Sequence, residues 1–362
     1  MTKVGVMHLI DTLEVGGAER VAVNLVNRLP RNRFDVTLCS TRRDGPLSSL
    51  VADDVERLSL GRRHRYDGTA LRRLVRFIRE HNVRILHAHG SSLFIAKLAS
   101  MAPPYPRVVW HDHYGPNDRP IWVYRAAIRG VDAVLAVNGA LADWARRKLR
   151  VRPERVWYVP NFVTFPKTPN VLAELPGHPG RRIACVANLR PEKDHMTLLK
   201  AMGVLVTQSP SAHLLLLGAN NDPRLYASLM NEVEVQGLSN NVTYLGVRSD
   251  VPAILKSCDV GVLSSISEGL PLALLEYGMA GLPVVATAVG QCPEILDGGR
   301  AGILVPPKSP ESLAQALLFL LESPQKRAAL GSRLDQHVRN LFDPDAITEQ
   351  ICSIYETVAK AR

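Results

Sequence analysis

Short apolar runs alternate with helical periodicity along this chain. Strand-like runs fall at residues 4–10, 34–40, 84–88, 107–112, 132–137 and 155–159, and a second series at 182–187, 212–217, 242–246, 259–263, 283–287 and 302–305. Between them apolar residues recur at helical spacing, as at Leu71, Leu74, Val75 and Ile78, with arginines on the opposite face. Two such series predict an α/β protein with two doubly wound, Rossmann-like parallel sheets. The pattern breaks over residues 162–180, at Phe-Val-Thr-Phe-Pro-Lys-Thr-Pro-Asn and Gly-His-Pro-Gly. We therefore expect a first domain over 1–164 and a second over 165–342. The last 40 residues read as helix, and the final helix, 343–362, is expected to pack back on the first domain. Neither an internal repeat nor a low-complexity tract interrupts the sequence.

Open parallel sheets bind ligands beyond the carboxyl ends of their strands. Two such sheets predict a ligand cleft between domains, and the motifs below all lie in loops that follow strands. The first is Gly16-Gly17-Ala18-Glu19-Arg20, after the first strand. Paired glycines opening a helix let the backbone approach a phosphate or sugar closely. The GxGxxG spacing of a dinucleotide site is missing, and a simple turn would read the same way.

The second is Ala187-Asn188-Leu189-Arg190-Pro191-Glu192-Lys193-Asp194-His195. Cations at Arg190 and Lys193 suit a diphosphate whose charge grows as it departs; a solvated surface loop is the alternative. The third is Trp110-His111-Asp112-His113-Tyr114-Gly115. Strand alternation puts His111 and His113 on one face and Asp112 on the other. Clustered His and Asp can ligate metal, but no further acidic or His ligand set accompanies this one, so no metal is expected. His87 and His89 end a neighbouring strand and read as packing or supporting residues.

The fourth is Glu268-Gly-Leu-Pro-Leu-Ala-Leu-Leu-Glu276. Pro271 suits the first helical position and Gly269 permits close approach, so a helix start would face a ligand phosphate. Glu268 precedes that helix and Glu276 lies about a turn and a half inside it. Carboxylates beside an anion site suit hydroxyls, so the ligand should carry both phosphate and polyol. An ordinary helix start with two solvated glutamates has the same spacing.

Composition adds limits. The 362 residues allow two full cores, and 46% apolar with 22% charged residues is ordinary globular usage. Five scattered cysteines without a CxxC pair argue for a reducing compartment, against a disulfide framework or zinc site. Neither a signal peptide nor a spanning apolar run is evident, so a cytoplasmic protein is expected. The net charge of +10 is uneven: residues 1–164 carry 27 Lys and Arg against 15 Asp and Glu (+12), and residues 165–362 carry 17 against 19 (−2). Part of the excess gathers at Arg62, Arg63, Arg65, Arg72, Arg73 and Arg76, and a second cluster runs from Arg146 to Arg155. Such clusters suit an anionic membrane leaflet, nucleic acid or simple solvation. Nothing resembles a nucleic-acid-binding motif, so that partner is not expected.

Taken together, Gly16 to Arg20, Lys193 in its loop, and Ser265-Ile266-Ser267-Glu268 through Glu276 resemble the family 4 retaining glycosyltransferases of GT-B fold. Val159-Pro160-Asn161, Leu245-Gly246, Pro283 to Thr287 and Gly302 to Pro306 extend the likeness over nearly the whole chain. The resemblance implies that Glu276 binds the donor ribose and Glu268 the donor sugar's hydroxyls. Backbone N–H groups around Gly269, Leu270, Pro271 and Leu272 would then serve sugar and phosphate. Lys193 matches the diphosphate lysine, and Gly16 and Gly17 the loop against the donor phosphates. His113 matches the strand-end histidine that touches the transferred sugar, with His111 the second choice. The chain departs from the family pattern where Asn188 replaces an arginine, for which Arg190 is the expected substitute, and at Gly290-Gln291, where a glycine pair is usual.

The implied activity is transfer of a sugar, with retention, from a nucleotide-sugar (a UDP-sugar is expected) to a lipid-linked saccharide or other glycan in envelope polysaccharide synthesis. Neither cofactor nor metal is implied, and the acceptor would sit at an inner membrane leaflet. A soluble small-molecule acceptor, or a GT-B-like epimerase or phosphorylase, is the alternative.

Overall fold

The computed structural model describes residues 3–64, 67–114, 120–165 and 173–360. It forms two compact units, one of Met1–Phe162 with Pro344–Arg362 and one of Val163–Asp343. Chain order in the first unit gives β1 (Val4–Thr12), β2 (Phe34–Arg43), β3 (Glu56–Ser59), β4 (Val83–His89), β5 (Arg107–Asp112), β6 (Ala133–Ala136) and β7 (Val156–Tyr158). They form one parallel sheet in the order β3-β2-β1-β4-β5-β6-β7. In the second unit β8 (Arg182–Val186), β9 (His213–Leu217), β10 (Val242–Gly246), β11 (Val260–Leu263), β12 (Val284–Thr287) and β13 (Ile303–Val305) pair as β10-β9-β8-β11-β12-β13, again parallel.

Central strands are apolar on both faces because helices cover both sides of each sheet. Val260, Val262, Val284, Val285, Leu214, Leu215 and Leu216 are all buried. The short β3, Glu-Arg-Leu-Ser, carries no apolar alternation and escaped the sequence reading; it is an edge strand held by register with Thr37–Ser40 of β2.

Each sheet reverses strand order at one point: between β1 and β4 in the first unit and between β8 and β11 in the second. Loops leaving such a point diverge, and a crevice opens beyond the strand ends. In the first unit, register sets His8 of β1 opposite His87 of β4, and His89 opposite His111 of β5. The terminal helix Pro344–Lys360 belongs to this unit and buries Tyr355 edge-on to Phe34 of β2. Arg33 anchors the helix rim through Glu349 and Glu356, at 2.6 and 2.7 Å; exposed pairs of this kind contribute about 0–1 kcal/mol each, so the buried ring carries the docking.

In the second unit β8 and β11 pair only at Val260–Ile183 and Gly261–Ala184 before parting. Tyr277 fills the gap. Its hydroxyl accepts the Val186 N–H at 2.7 Å and faces the carbonyls of Val262 and Ala184 at 3.1 and 3.2 Å. Its ring occupies the space a side chain at Gly261 would need. Burying a ring of this size contributes about 2–3 kcal/mol, and it fixes the helix Leu272–Met279 against the strand ends.

Candidate functional site

The loop after β8 is folded back on its neighbours. Asn188 Oδ1 accepts the Ala219 N–H at 2.8 Å, so this side chain ties two loops together. Arg190 is half exposed, with Glu192 3.8 Å away. A single 3₁₀ turn, Pro191–Lys193, follows. Asp194 then takes a left-handed conformation (φ +46°) and caps the helix His195–Gln208 by accepting the Thr197 N–H. The turn is clamped to the loop after β11: Ser264 Oγ donates to the Lys193 carbonyl at 2.9 Å, and the Ile266 N–H to the Glu192 carbonyl at 2.9 Å.

That clamp delivers Lys193 Nζ to Glu268 Oε1, at 2.5 Å. Ser265 Oγ donates to the same oxygen at 2.6 Å. The Glu268 side chain is 7% exposed and that of Lys193 22%, so the pair is largely screened from solvent rather than on open surface. The backbone beneath is fixed from a third loop. Thr287 Oγ1 donates to the Ser265 carbonyl at 2.6 Å, and the Gln291 N–H to the Gly269 carbonyl at 3.1 Å. Gly290, at φ +53°, lies so close to the Glu268 carbonyl that any Cβ there would collide with it.

Four residues after Glu268 the helix begins. Pro271 is its N-cap, not the first helical residue expected from sequence; Leu272 takes that place. Such a shift changes which N–H groups are free but leaves the helix start uncapped by any side chain. Glu276, on the fifth helical residue, is buried beside Tyr277. Behind Lys193, His195 is buried and its imidazole is pushed down to about 4, by burial first and then by the Lys193 charge. A fixed cation, two carboxylates and a free helix start at one set of strand ends can serve an anion and hydroxyls together.

In the first unit Gly16 is the N-cap of the helix Gly17–Arg28. The Glu19 carboxylate folds back to where a Cβ of residue 16 would stand, and Gly16 itself is in an extended conformation (φ −160°). Near the end of β1, Asp11 accepts from Thr41 Oγ1 (2.6 Å), Ser91 Oγ (2.7 Å) and an Arg62 nitrogen (3.1 Å). Burial by itself would raise its carboxyl; the hydroxyl donors, with Arg62 and Arg42, more than offset that and hold it below the usual range.

The histidines form a buried group. His87 Nε2 lies 3.1 Å from His111 Nδ1, and His89 Nδ1 lies 2.9 Å from His113 Nε2. His8 Nδ1 meets His89 Nε2 at 3.1 Å. Two triples, His8-His87-His89 and His89-His111-His113, bring one nitrogen each within 4.8 Å of the others, close enough to share a metal ion. Their facing nitrogens are, however, closed on one another in pairs. His113 is half-buried at one end of the group, whereas His111 is buried.

Comparison with known proteins gives the family and the fold. The profile "Glycosyltransferase Family 4" matches residues 15–165 and "Glycosyl transferases group 1" matches residues 180–323. The chain belongs to glycosyltransferase family 4. The Anabaena protein HepE, solved with UDP and glucose, superposes with a TM-score of 0.82 over 98% of this chain and all of that one, at 21% identity. The fold is therefore GT-B. A phosphatidyl-myo-inositol mannosyltransferase of Mycolicibacterium smegmatis is 26% identical over 310 residues, 83% of this chain and 78% of the relative. A D-inositol 3-phosphate glycosyltransferase of Corynebacterium glutamicum is 29% identical over 181 residues; the match spans 48% of this chain and less than half, 42%, of that relative.

Within this family 4 protein the second unit brings Lys193, from the loop after β8, onto Glu268, which is followed by Gly269, Leu270, Pro271, Leu272 and Glu276 in the loop and helix after β11. Arg190 stays at the solvent edge and Asn188 serves the loop. Among the basic residues of the first unit, Arg62 is a correction: its side chain is only 8% exposed and is tied to Asp11, so it presents no open face. Arg73 is bonded to the carbonyls of Leu60 and Ser59. Arg63, Arg72 and Arg76 are exposed, and Arg65 lies outside the described residues. Sequence reasoning missed Ser264 and Thr287, whose work is on backbone carbonyls, and His8, Asp11 and Tyr355, which carry no motif.

Proposed function

We propose that the chain transfers a sugar from a UDP-sugar to a lipid-borne acceptor at the cytoplasmic membrane face, with retention at the anomeric carbon and without a divalent metal. The observation that carries the reading is the Lys193–Glu268 pair, held at 2.5 Å beside a helix start that has Glu276 inside it. HepE's complex with UDP and glucose and the lipid named for the mycobacterial relative support donor and acceptor class.

In the reaction the bond between the anomeric carbon and the departing phosphate oxygen breaks, and negative charge grows on the diphosphate. Lys193 and the helix start at Leu272 stabilise that charge, with Arg190 able to swing in from the solvent edge. Glu276 accepts from the ribose hydroxyls and Glu268 from the sugar hydroxyls. His113 contacts the transferred sugar, and Gly16 and Gly17 approach the phosphates. The acceptor hydroxyl oxygen bonds to the anomeric carbon on the face the phosphate leaves, and the departing phosphate takes that hydroxyl's proton, so neither glutamate acts as a glycosidase acid or base. Arg63, Arg72 and Arg76 favour an anionic lipid surface; among the described residues no helix is long and apolar enough to cross a membrane.

The test is a donor screen that follows nucleotide release in EDTA, with and without lipid acceptors. Release of UDP that rises on adding acceptor supports the reading. Release indifferent to acceptor indicates an epimerase or phosphorylase, and activity lost in EDTA and restored by one metal refutes the metal-free scheme.

A further inference from the structure

Three helices of the first unit bury their inner faces in one layer. Leu74 of Gly68–Glu80, Leu93 and Ala96 of Leu93–Ala99, and Ile128 just past Ile121–Ala127 belong to the same core cluster. The first helix packs beside the second, and the second beside the third, where the Phe94 and Tyr124 rings meet edge-on at 5.4 Å. Their outer faces therefore look out from the same side of the sheet.

Two kinds of side chain occupy that side. Trp122 is 75% exposed, and Leu98, Met101, Tyr105 and Ile121 are exposed with it. Large apolar side chains gathered in the open mark an interaction surface. The other kind is cationic. Arg72, Arg76 and Arg79 recur at helical spacing and are all exposed, and Arg129 is exposed seven positions after Trp122. Segments 68–80, 93–105 and 121–130 together carry seven Lys or Arg against one acid, Glu80, which lies 3.9 Å from Arg76.

We propose that this face seats the protein on an anionic lipid leaflet by insertion: Met101, Tyr105 and Trp122 enter the boundary between headgroups and acyl chains, while Arg76, Arg79 and Arg129 hold the headgroups. Such an anchor deepens the membrane-face reading above and rests on it. Attraction by arginines alone is screened by salt, whereas apolar area buried in the leaflet is not. Tryptophan and tyrosine suit that depth because the ring enters the apolar phase while its polar edge stays wet. A leaflet offers anions above an apolar phase, which matches both kinds of side chain. A second copy of this face would instead set like charges against one another, which disfavours association.

The experiment uses the full chain and vesicles of phosphatidylcholine with phosphatidylglycerol, without donor or acceptor, so its outcome is independent of sugar transfer. Of the four tryptophans Trp122 is the exposed one; Trp110 and Trp144 are buried and Trp157 is half-buried. Vesicles should shift tryptophan emission to shorter wavelength, and acyl chains brominated near the headgroup should quench it. Trp122→Phe should abolish the quenching yet keep vesicle binding within about twofold, since phenylalanine still inserts. Met101→Asp combined with Tyr105→Asp should weaken binding roughly 10- to 100-fold, from the apolar burial lost. Absent binding, binding with unchanged emission, quenching that survives Trp122→Phe, or full binding by the double variant would overturn the proposal. An emission shift that needs no vesicles and grows with protein concentration would show a second copy covering the face, and would overturn it as well.

Discussion

Replacing Lys193 by Met isolates the charge from the shape of the site. In the free protein Lys193 sits 2.5 Å from a Glu268 carboxylate that is 7% exposed, and is itself 22% exposed. Removing one partner of a fully buried pair costs about 3–5 kcal/mol. The exposed share of Lys193 and the Ser265 hydroxyl that still holds Glu268 reduce this to about 1–2 kcal/mol, nearer the exposed-pair range. For a chain of this size that is a Tm fall of roughly 2–8 °C, at about 2–4 °C per kcal/mol. Glu268→Gln in the Lys193→Met background removes the stranded carboxylate charge and should recover part of the loss. Turnover should fall further. A unit cation about 4 Å from a developing phosphate charge contributes about 4 kcal/mol at an effective dielectric of 20, so kcat should drop about 10³-fold in both variants. Thermal unfolding of the two singles and the double, with single-turnover kinetics, reads both effects. Additive Tm losses would show that the pair does not form, and an undiminished kcat would refute the diphosphate role of Lys193.

Stability should depend on mild acid. The His8 imidazole, at about 3 when folded, has an unfolded value near 6.5; the unfolded chain binds the proton first, so stability is complete above pH 6.5 and falls as pH drops toward 3. At pH 5 His8 contributes about 2 kcal/mol of that loss, and His87, His89 and His111 act in the same direction. A Tm unchanged between pH 7 and 5 would contradict the buried cluster. For the membrane face, Arg63→Ala, Arg72→Ala and Arg76→Ala together should weaken binding to anionic liposomes about 150-fold, at about 1 kcal/mol per residue. Binding that neither salt nor the triple variant weakens would remove these arginines from the account.

How much of this was legible beforehand follows from what each feature is made of. The two parallel sheets were, since strands buried on both faces leave continuous apolar runs such as Val260 to Leu263. The polar edge strand Glu56–Ser59 was not, because pairing with β2 rather than its own pattern makes it a strand. Glu268 and Lys193 stood out as charges in strand-end loops, but their meeting depends on Ser264, Ile266 and Thr287 bonding to backbone carbonyls, which no spacing reveals. The basic cluster misled at Arg62, whose partner Asp11 is 51 positions away. The histidine group was half visible: alternation put His111 and His113 on one face, whereas its partner Tyr355 arrives from a helix 347 residues beyond His8.

The central claim is a nucleotide-sugar site built on the second unit, and calorimetric titration of UDP in EDTA tests it most directly. UDP should bind the wild-type chain, and Glu276→Gln should weaken it roughly 10- to 100-fold, the loss of about 1.5–3 kcal/mol expected when a charged hydrogen-bond acceptor is neutralised. Absence of UDP binding at millimolar concentration, or binding that Glu276→Gln leaves unchanged, would contradict the account.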